Sequence, residues 1–309
     1  MRRKLLWPAA AALLVAGCST ASGHGATADN QPDPRPLGGP LHFTAAESSA
    51  LHRAEEQEVQ KCMAGRGFDY TVVPVGDVQR EAAASPYGLL TRSQAAQDGF
   101  GLTVQRLRKP PTDPNAQRVS ALSESDGHAW EEALKGAPDG PREEIQLQDG
   151  PTISVPTDAC VSVARRALYG TAWDRSYYTL QNLSILIVRD TLDHALVKAA
   201  ERKWAACMRD EGFSYQNRQD PLKAVKKQLD SVESDAAVLR TVGKEELRIA
   251  VQNAACQAEV GLAEQIDRAQ KQVEGELPEA RKSLLKEFRT ARQTALKRAE
   301  ARVSASPSA

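Results

Sequence analysis

The 309-residue chain carries no excess of charge of either sign and none of the compact signatures that mark an active site. Lys+Arg and Asp+Glu both stand at 40, so overall charge gives no general attraction to nucleic acid or to an acidic surface. There is no Gly-x-Ser-x-Gly elbow, phosphate loop, Cys-x-x-Cys or His-Glu-x-x-His. The histidines His24, His42, His52, His128 and His194 are scattered rather than clustered. His52 is expected on an exposed helical face near Glu55 and Glu56, and His194 pairs with Asp190 four residues earlier on a helix surface. No metal ion or cofactor is expected. The apolar stretch Leu5 to Val15 is shorter than a bilayer requires.

That stretch has a different use. Arg2, Arg3 and Lys4 precede it as a positive n-region, and Val15-Ala16-Gly17-Cys18 follows it. The tetrapeptide resembles the bacterial lipobox: an aliphatic residue, two small residues and a cysteine. The resemblance implies that residues 1–17 are a signal peptide cut before Cys18, whose thiol takes a diacylglyceryl group, since two acyl chains give a stable anchor. Removing 1–17 leaves 37 bases against 40 acids, a net charge of −3. Residues 18–40, rich in Ser, Gly, Ala, Asp and Pro, are predicted to be a flexible tether spanning roughly 25 Å root-mean-square.

With Cys18 lipidated, Cys62, Cys160, Cys207 and Cys256 remain, an even number in an exported chain. Spacing alone leaves three pairings open. An internal repeat chooses among them. Leu51, Ala54, Glu56, Cys62, Met63, Gly67, Phe68 and Tyr70 match Leu196, Ala199, Glu201, Cys207, Met208, Gly212, Phe213 and Tyr215 at an offset of 145, and each copy is followed by an Ala-Cys. Two related units, 41–175 and 176–303, each with its own bridge, are the economical reading: Cys62–Cys160 and Cys207–Cys256. The repeated Cys-Met-x-x-x-Gly-Phe-x-Tyr is read as a helix end. Gly67 and Gly212 fit the left-handed closing residue, and Phe68 and Phe213 then pack on Met63 and Met208.

Element signals predict a mainly α fold with a few short strands or irregular loops in the first half. Thr44-x-x-Glu47 opens a helix to about Arg66, Thr91-x-x-Gln94 a short one, and Ser123-x-x-Asp126 another ending at Gly136. Residues 136–156 read as a loop or weak hairpin, and Thr157 as the cap of the helix carrying Cys160. One helix is expected from about Arg175 to Cys207, a helix capped by Asp220, and a further one through Leu247, Val251, Ala254, Ala258, Leu262, Ile266, Ala269 and Val273. Pro278 precedes a last helix to about Val303, and 304–309 read as a disordered tail. That last helix is basic, with a net of +6 between Arg281 and Arg302. Arg281, Lys282, Arg289, Arg292 and Lys297 are candidate contacts for anionic lipid or wall polymer.

The order of the Cys-Met motif, Tyr87-Gly88-Leu89, Gly99-Phe100-Gly101-Leu102, Asp113-Pro114-Asn115, Ala121-Leu122-Ser123 and Ala167-Leu168-Tyr169-Gly170 resembles a group of uncharacterised exported lipoproteins of high-GC Gram-positive bacteria. The resemblance covers roughly residues 50–275 and implies an envelope location and the two bridges, but no activity. The expectation is a lipid-anchored extracytoplasmic envelope protein, a non-enzymatic binding or structural module whose partner is a wall polymer or envelope protein rather than nucleic acid. The alternative is a cell-wall-associated hydrolase whose site is assembled from loops.

Overall fold

The computed structural model describes residues 31–108, 112–232 and 235–305. The fold is mainly helical. In chain order it comprises α1 (Ala45–Gly65), α2 (Val78–Ala83), α3 (Arg92–Asp98), α4 (Leu102–Leu107), α5 (Ala116–Ser120), α6 (Glu124–Lys135), a hairpin β1 (Arg142–Gln146) and β2 (Thr152–Pro156), α7 (Cys160–Tyr169), α8 (Trp173–Asp193), α9 (Ala195–Asp210), α10 (Asp220–Asp230), α11 (Ala236–Glu259), α12 (Leu262–Gly275) and α13 (Glu279–Ala305). The hairpin is antiparallel, with Ile145 opposite Ile153 and both Ile145 and Val155 buried.

Local chemistry sets the starts. Thr44 Oγ1 accepts the Glu47 N–H at 3.2 Å while Glu47 Oε2 accepts the Thr44 N–H at 2.8 Å, a closed capping box. Thr91 and Gln94 repeat it for α3, and Ser123 caps α6. Three starts differ from the sequence reading. Ala159, not Thr157, precedes α7, because the Thr157 hydroxyl closes the hairpin by donating to the Pro141 carbonyl. Asp220 lies inside α10 rather than before it, its carboxylate accepting the N–H groups of Gln216 and Asn217. His194 does not pair with Asp190, which binds Arg189 instead. His194 is extended, divides α8 from α9, and accepts the Leu196 N–H on Nδ1 at 3.3 Å.

The helix expected through Leu247 to Val273 is likewise two. Gly261, at φ 61°, turns the chain between α11 and α12. Its inward face also differs, since Val251 is 42% exposed while Glu246, Asn253 and Gln257 are buried. These polar side chains are inward because each has a partner. Glu246 accepts the N–H groups of Leu102 and Thr103, Asn253 that of the Trp204 indole, and Gln257 that of Leu90. An apolar-periodicity count cannot see such a stripe.

Both disulfides join the expected partners, Cys62 to Cys160 and Cys207 to Cys256. Val59, Met63, Tyr70, Trp130 and Ala164 surround the first, and Trp204, Met208, Phe213, Leu239 and Ile249 the second. The helix ends are closed alike. Phe68 N–H donates to Met63 O at 3.0 Å and Gly67 N–H to Ala64 O at 3.0 Å; Phe213 and Gly212 do the same to Met208 at 2.8 Å and Arg209 at 3.0 Å. With Gly67 at φ 83° and Gly212 at φ 85°, these are Schellman closures. The chain after each turn is tied back by the repeated glutamate: Glu56 accepts the Val73 N–H and Glu201 the Arg218 N–H. The partner halves differ, for Cys160 opens α7 whereas Cys256 lies in the last turn of α11.

Packing does not follow chain order. Helices α3 and α4 rest on α11, and α13 crosses back onto α1, α7 and α8. The 175/176 boundary falls inside α8, and residues 304 and 305, expected in the tail, belong to α13. Residues 35–40, expected to belong to the tether, are packed against the helical body. Leu37 is buried against Trp173 and Phe288, its N–H donates to Glu274 at 2.7 Å, and the Arg35 carbonyl accepts from Gln270 at 2.9 Å. One leucine among prolines and glycines gives no periodic signal, which is why a coil was expected there.

Candidate functional site

Cys18, residues 1–17 and the tether to residue 30 lie outside the described residues. Met63, Phe68, Met208 and Phe213 pack into the two disulfide cores. The basic residues of α13 divide. Arg289 donates to the Leu37 carbonyl at 2.5 Å. Arg292 donates to the Gly39 and Pro40 carbonyls, pairs with Glu47 at 2.9 Å and lies 4.3 Å over the Phe43 ring. These two arginines bind the N-terminal segment, while Arg289 stays exposed and Arg292 is half-buried. Arg281 donates to Gln148 and Lys282 pairs with Glu279, both on the surface. Lys297 is exposed, as is Lys286 beside the candidate set.

A cavity of about 470 Å³ opens where α1, α7 and α8 meet. Helix α1 contributes Glu55, one turn after the buried Leu51. Helix α7 contributes Arg165 and Tyr169, and α8 contributes Trp173, Asp174, Tyr177 and Tyr178. Asp174 is 3% exposed and its Oδ1 lies 3.2 Å from Arg165 Nε. Glu55 Oε2 accepts a 3.3 Å hydrogen bond from Tyr169 Oη. Among the described residues no basic side chain lies within 4.0 Å of Glu55. Burial raises both carboxyls above their ordinary values, and the Arg165 charge offsets this only in part. Burial likewise raises the Tyr169 and Tyr177 phenols.

The aromatic wall is built from stacked rings. Tyr169 and Phe288 stack on Trp173 with centroids 4.1 and 4.4 Å away. Tyr177 meets Tyr178 edge-on at 5.5 Å. His52, expected to be exposed, is half-buried at the rim and hydrogen-bonded to the Val73 carbonyl at 2.8 Å. The sequence reading missed Glu55 and Asp174 as site residues. A partial signal existed for Glu55, since Leu51, Glu55 and Val59 step by four and place a carboxylate in an apolar stripe; Asp174 opens α8 beyond the Gly170 break, where no helical period points to it.

A second cavity, of about 440 Å³, is largely apolar and lies between the N-terminal segment and α8, beside Leu41, Ile185 and Val188. Among the described residues no group of His, Cys, Asp and Glu could hold a metal ion, and no helix is long and apolar enough to cross a membrane. No family model, curated protein or solved structure matches the chain. Its two disulfides suggest a non-cytoplasmic environment.

Proposed function

We propose that the protein is a lipid-anchored binding module of the bacterial cell envelope, held at the membrane surface by Cys18, and a relative of the exported lipoproteins it resembles. The observation that carries this reading is the pair of disulfides in a chain with a positive n-region, an apolar stretch and a lipobox-like Val-Ala-Gly-Cys. The aromatic and carboxylate cavity supports the binding half. The decisive experiment is metabolic labelling with a fatty-acid probe, followed by fractionation. The wild type is expected to be labelled and membrane-bound, and Cys18→Ser unlabelled and released or unprocessed. An unlabelled wild type removes the anchor from the proposal.

The anionic-surface contact becomes narrower on this structure. Lys282, Lys286 and Lys297 are its best candidates, since Arg289 and Arg292 are engaged with the N-terminal segment. Salt-sensitive binding of the Cys18→Ser chain to anionic vesicles, lost when the three lysines become glutamine, supports it.

A hydrolase reading draws on the two carboxyls that burial inclines to hold protons, Glu55 and Asp174. Asp174 is paired with Arg165, which leaves Glu55 as the acid without an ion pair. Turnover of purified peptidoglycan that Glu55→Gln abolishes would favour hydrolysis over binding.

A further inference from the structure

We propose that the cavity between α1, α7 and α8 binds a compact organic ammonium, with the cation at Glu55 and its apolar body against the aromatic wall. The proposal rests on the binding half of the reading above and names the ligand's chemistry.

Charge points to a cation. The cavity holds two carboxylates, Glu55 and Asp174, against one guanidinium, Arg165. Arg165 reaches Asp174 at 3.2 Å and is within 4.0 Å of no other described carboxylate. Glu55 therefore has the Tyr169 hydroxyl as its one hydrogen-bond partner among the described residues, in a half-buried position, with the Arg165 charge acting on it from further away. A half-buried carboxylate without a contact ion pair is costly, Arg165 offsets that cost only in part, and a bound cation removes more of it. Among the described residues, the groups around it supply no ion pair within 4.0 Å. On α1 these are His52, bonded to Val73, and Glu56, bonded to Tyr70 and Val73; on α7 Arg165 and Tyr169; on α8 Asp174, Tyr177 and Tyr178.

The wall points to an organic cation. Aromatic rings attract positive charge over their faces and offer apolar area to alkyl groups. Phe43, Tyr169, Tyr177 and Tyr178 are all partly exposed at this cavity, so their surfaces are reachable. A metal ion gains nothing from such a wall and finds no ligand cluster here. A neutral sugar can stack on the rings but leaves Glu55 uncompensated. The volume, about 470 Å³, is that of a small-molecule site. The ammonium group of an amino sugar, a diamino acid or a choline-like headgroup has the required chemistry.

The test titrates the full chain carrying Cys18→Ser with propylammonium, tetramethylammonium, the neutral isosteres propanol and tert-butanol, and an oligomer of N-acetylglucosamine, by chemical-shift perturbation and Trp fluorescence at pH 7.5. The expected result is saturable binding of at least one ammonium, tenfold or more tighter than its isostere, and loss of that preference in Glu55→Gln. Because charge selectivity is read on the unsubstituted cavity, the result does not hinge on the variant folding. Thermal melts and disulfide mapping establish that Glu55→Gln is native. Equal or absent binding of the ammonium and neutral members overturns the proposal, as does ammonium preference that Glu55→Gln leaves intact. Sugar binding without ammonium preference also overturns it, yet leaves a binding module standing. The anchoring test with a fatty-acid probe is independent of every one of these outcomes.

Discussion

Glu56 accepts the Val73 N–H at 2.8 Å, and 145 positions later Glu201 accepts the Arg218 N–H at 3.1 Å, each bond spanning 17 residues. The repeat is thus conserved in its hydrogen bonding beyond its cysteine and its turn: the same carboxylate ties the outgoing chain to the same place on the helix. Glu56 also takes the Tyr70 hydroxyl at 3.0 Å, whereas Glu201 takes the Arg218 guanidinium at 3.2 Å. Hydrogen bonds to a charged acceptor are worth about 1.5–3 kcal/mol, so Glu56→Ala and Glu201→Ala should each destabilise by about that amount in urea unfolding. Changes below about 0.5 kcal/mol in both would mean that the shared bond is incidental.

The glycines at the two helix ends offer a cleaner contrast. A Cβ added at Gly67 or Gly212 meets nothing within 4 Å, so any cost of alanine there comes from the backbone at φ 83° and 85° and not from crowding. Gly67→Ala and Gly212→Ala should lose about 1 kcal/mol each, valine more, and asparagine less. Gly65, two residues earlier, has helical backbone and equally open surroundings. Gly65→Ala should be neutral or stabilising by up to about 1 kcal/mol. Chemical denaturation of the three alanine variants decides it, and equal effects at residues 65 and 67 would defeat the argument.

The bridges enclose 98 and 49 residues. In the chain-entropy account their removal costs roughly 4–5 kcal/mol each. Cys62→Ala/Cys160→Ala and Cys207→Ala/Cys256→Ala should each lower the melting temperature strongly, the first by slightly more. Non-reducing peptide mapping checks the pairing directly, and a peptide linking Cys62 to Cys207 would contradict it.

Stability should also report on Glu55. Its folded-state pKa lies above the ordinary value near 4.5 because burial disfavours the charge. The folded state therefore retains a proton that the unfolded chain releases, and this group's contribution falls as pH rises from the unfolded value through the raised one. Glu55→Gln cannot lose that contribution. Its stability relative to the wild type should improve between pH 4 and pH 7, while Asp174, raised in the same direction, acts in both proteins. Parallel pH profiles for the two proteins would show that Glu55 is not perturbed.

The seat of Leu37 gives a last measurable quantity. It is 4% exposed, and Leu37→Ala should cost about 2–4 kcal/mol if the segment is part of the cooperative fold. Limited proteolysis near residues 35–43 should accelerate in the variant. An unchanged melting temperature and digestion pattern would return these residues to the tether.

What the sequence made legible was the chemistry that is local or repeated. Thr44 with Glu47, Thr91 with Gln94, Gly67 and Gly212 each announce a helix end within four residues, and the duplicated cysteines carry their pairing with them. What it hid depends on partners far along the chain. Glu246 is inward because Leu102 and Thr103 need an acceptor, and Leu37 because Glu274 and Arg289 receive it. Glu55 was misread for the same reason: it becomes a site residue only when α7 and α8 close around it.

The contact between Leu37 and α13 has a consequence for the order in which the molecule can assemble. Its two sides lie near opposite ends of the chain, with Arg289 252 residues beyond Leu37. Polypeptides are made from the amino end, so Leu37 waits for almost the whole chain before its cover exists. Until Phe288 arrives, Leu37 and Trp173 lack one wall of their pocket. Completion of the last helix is then a closing latch, and a load applied at Leu37 would be shared between the carboxyl-terminal helices that hold it and the covalent path into α1.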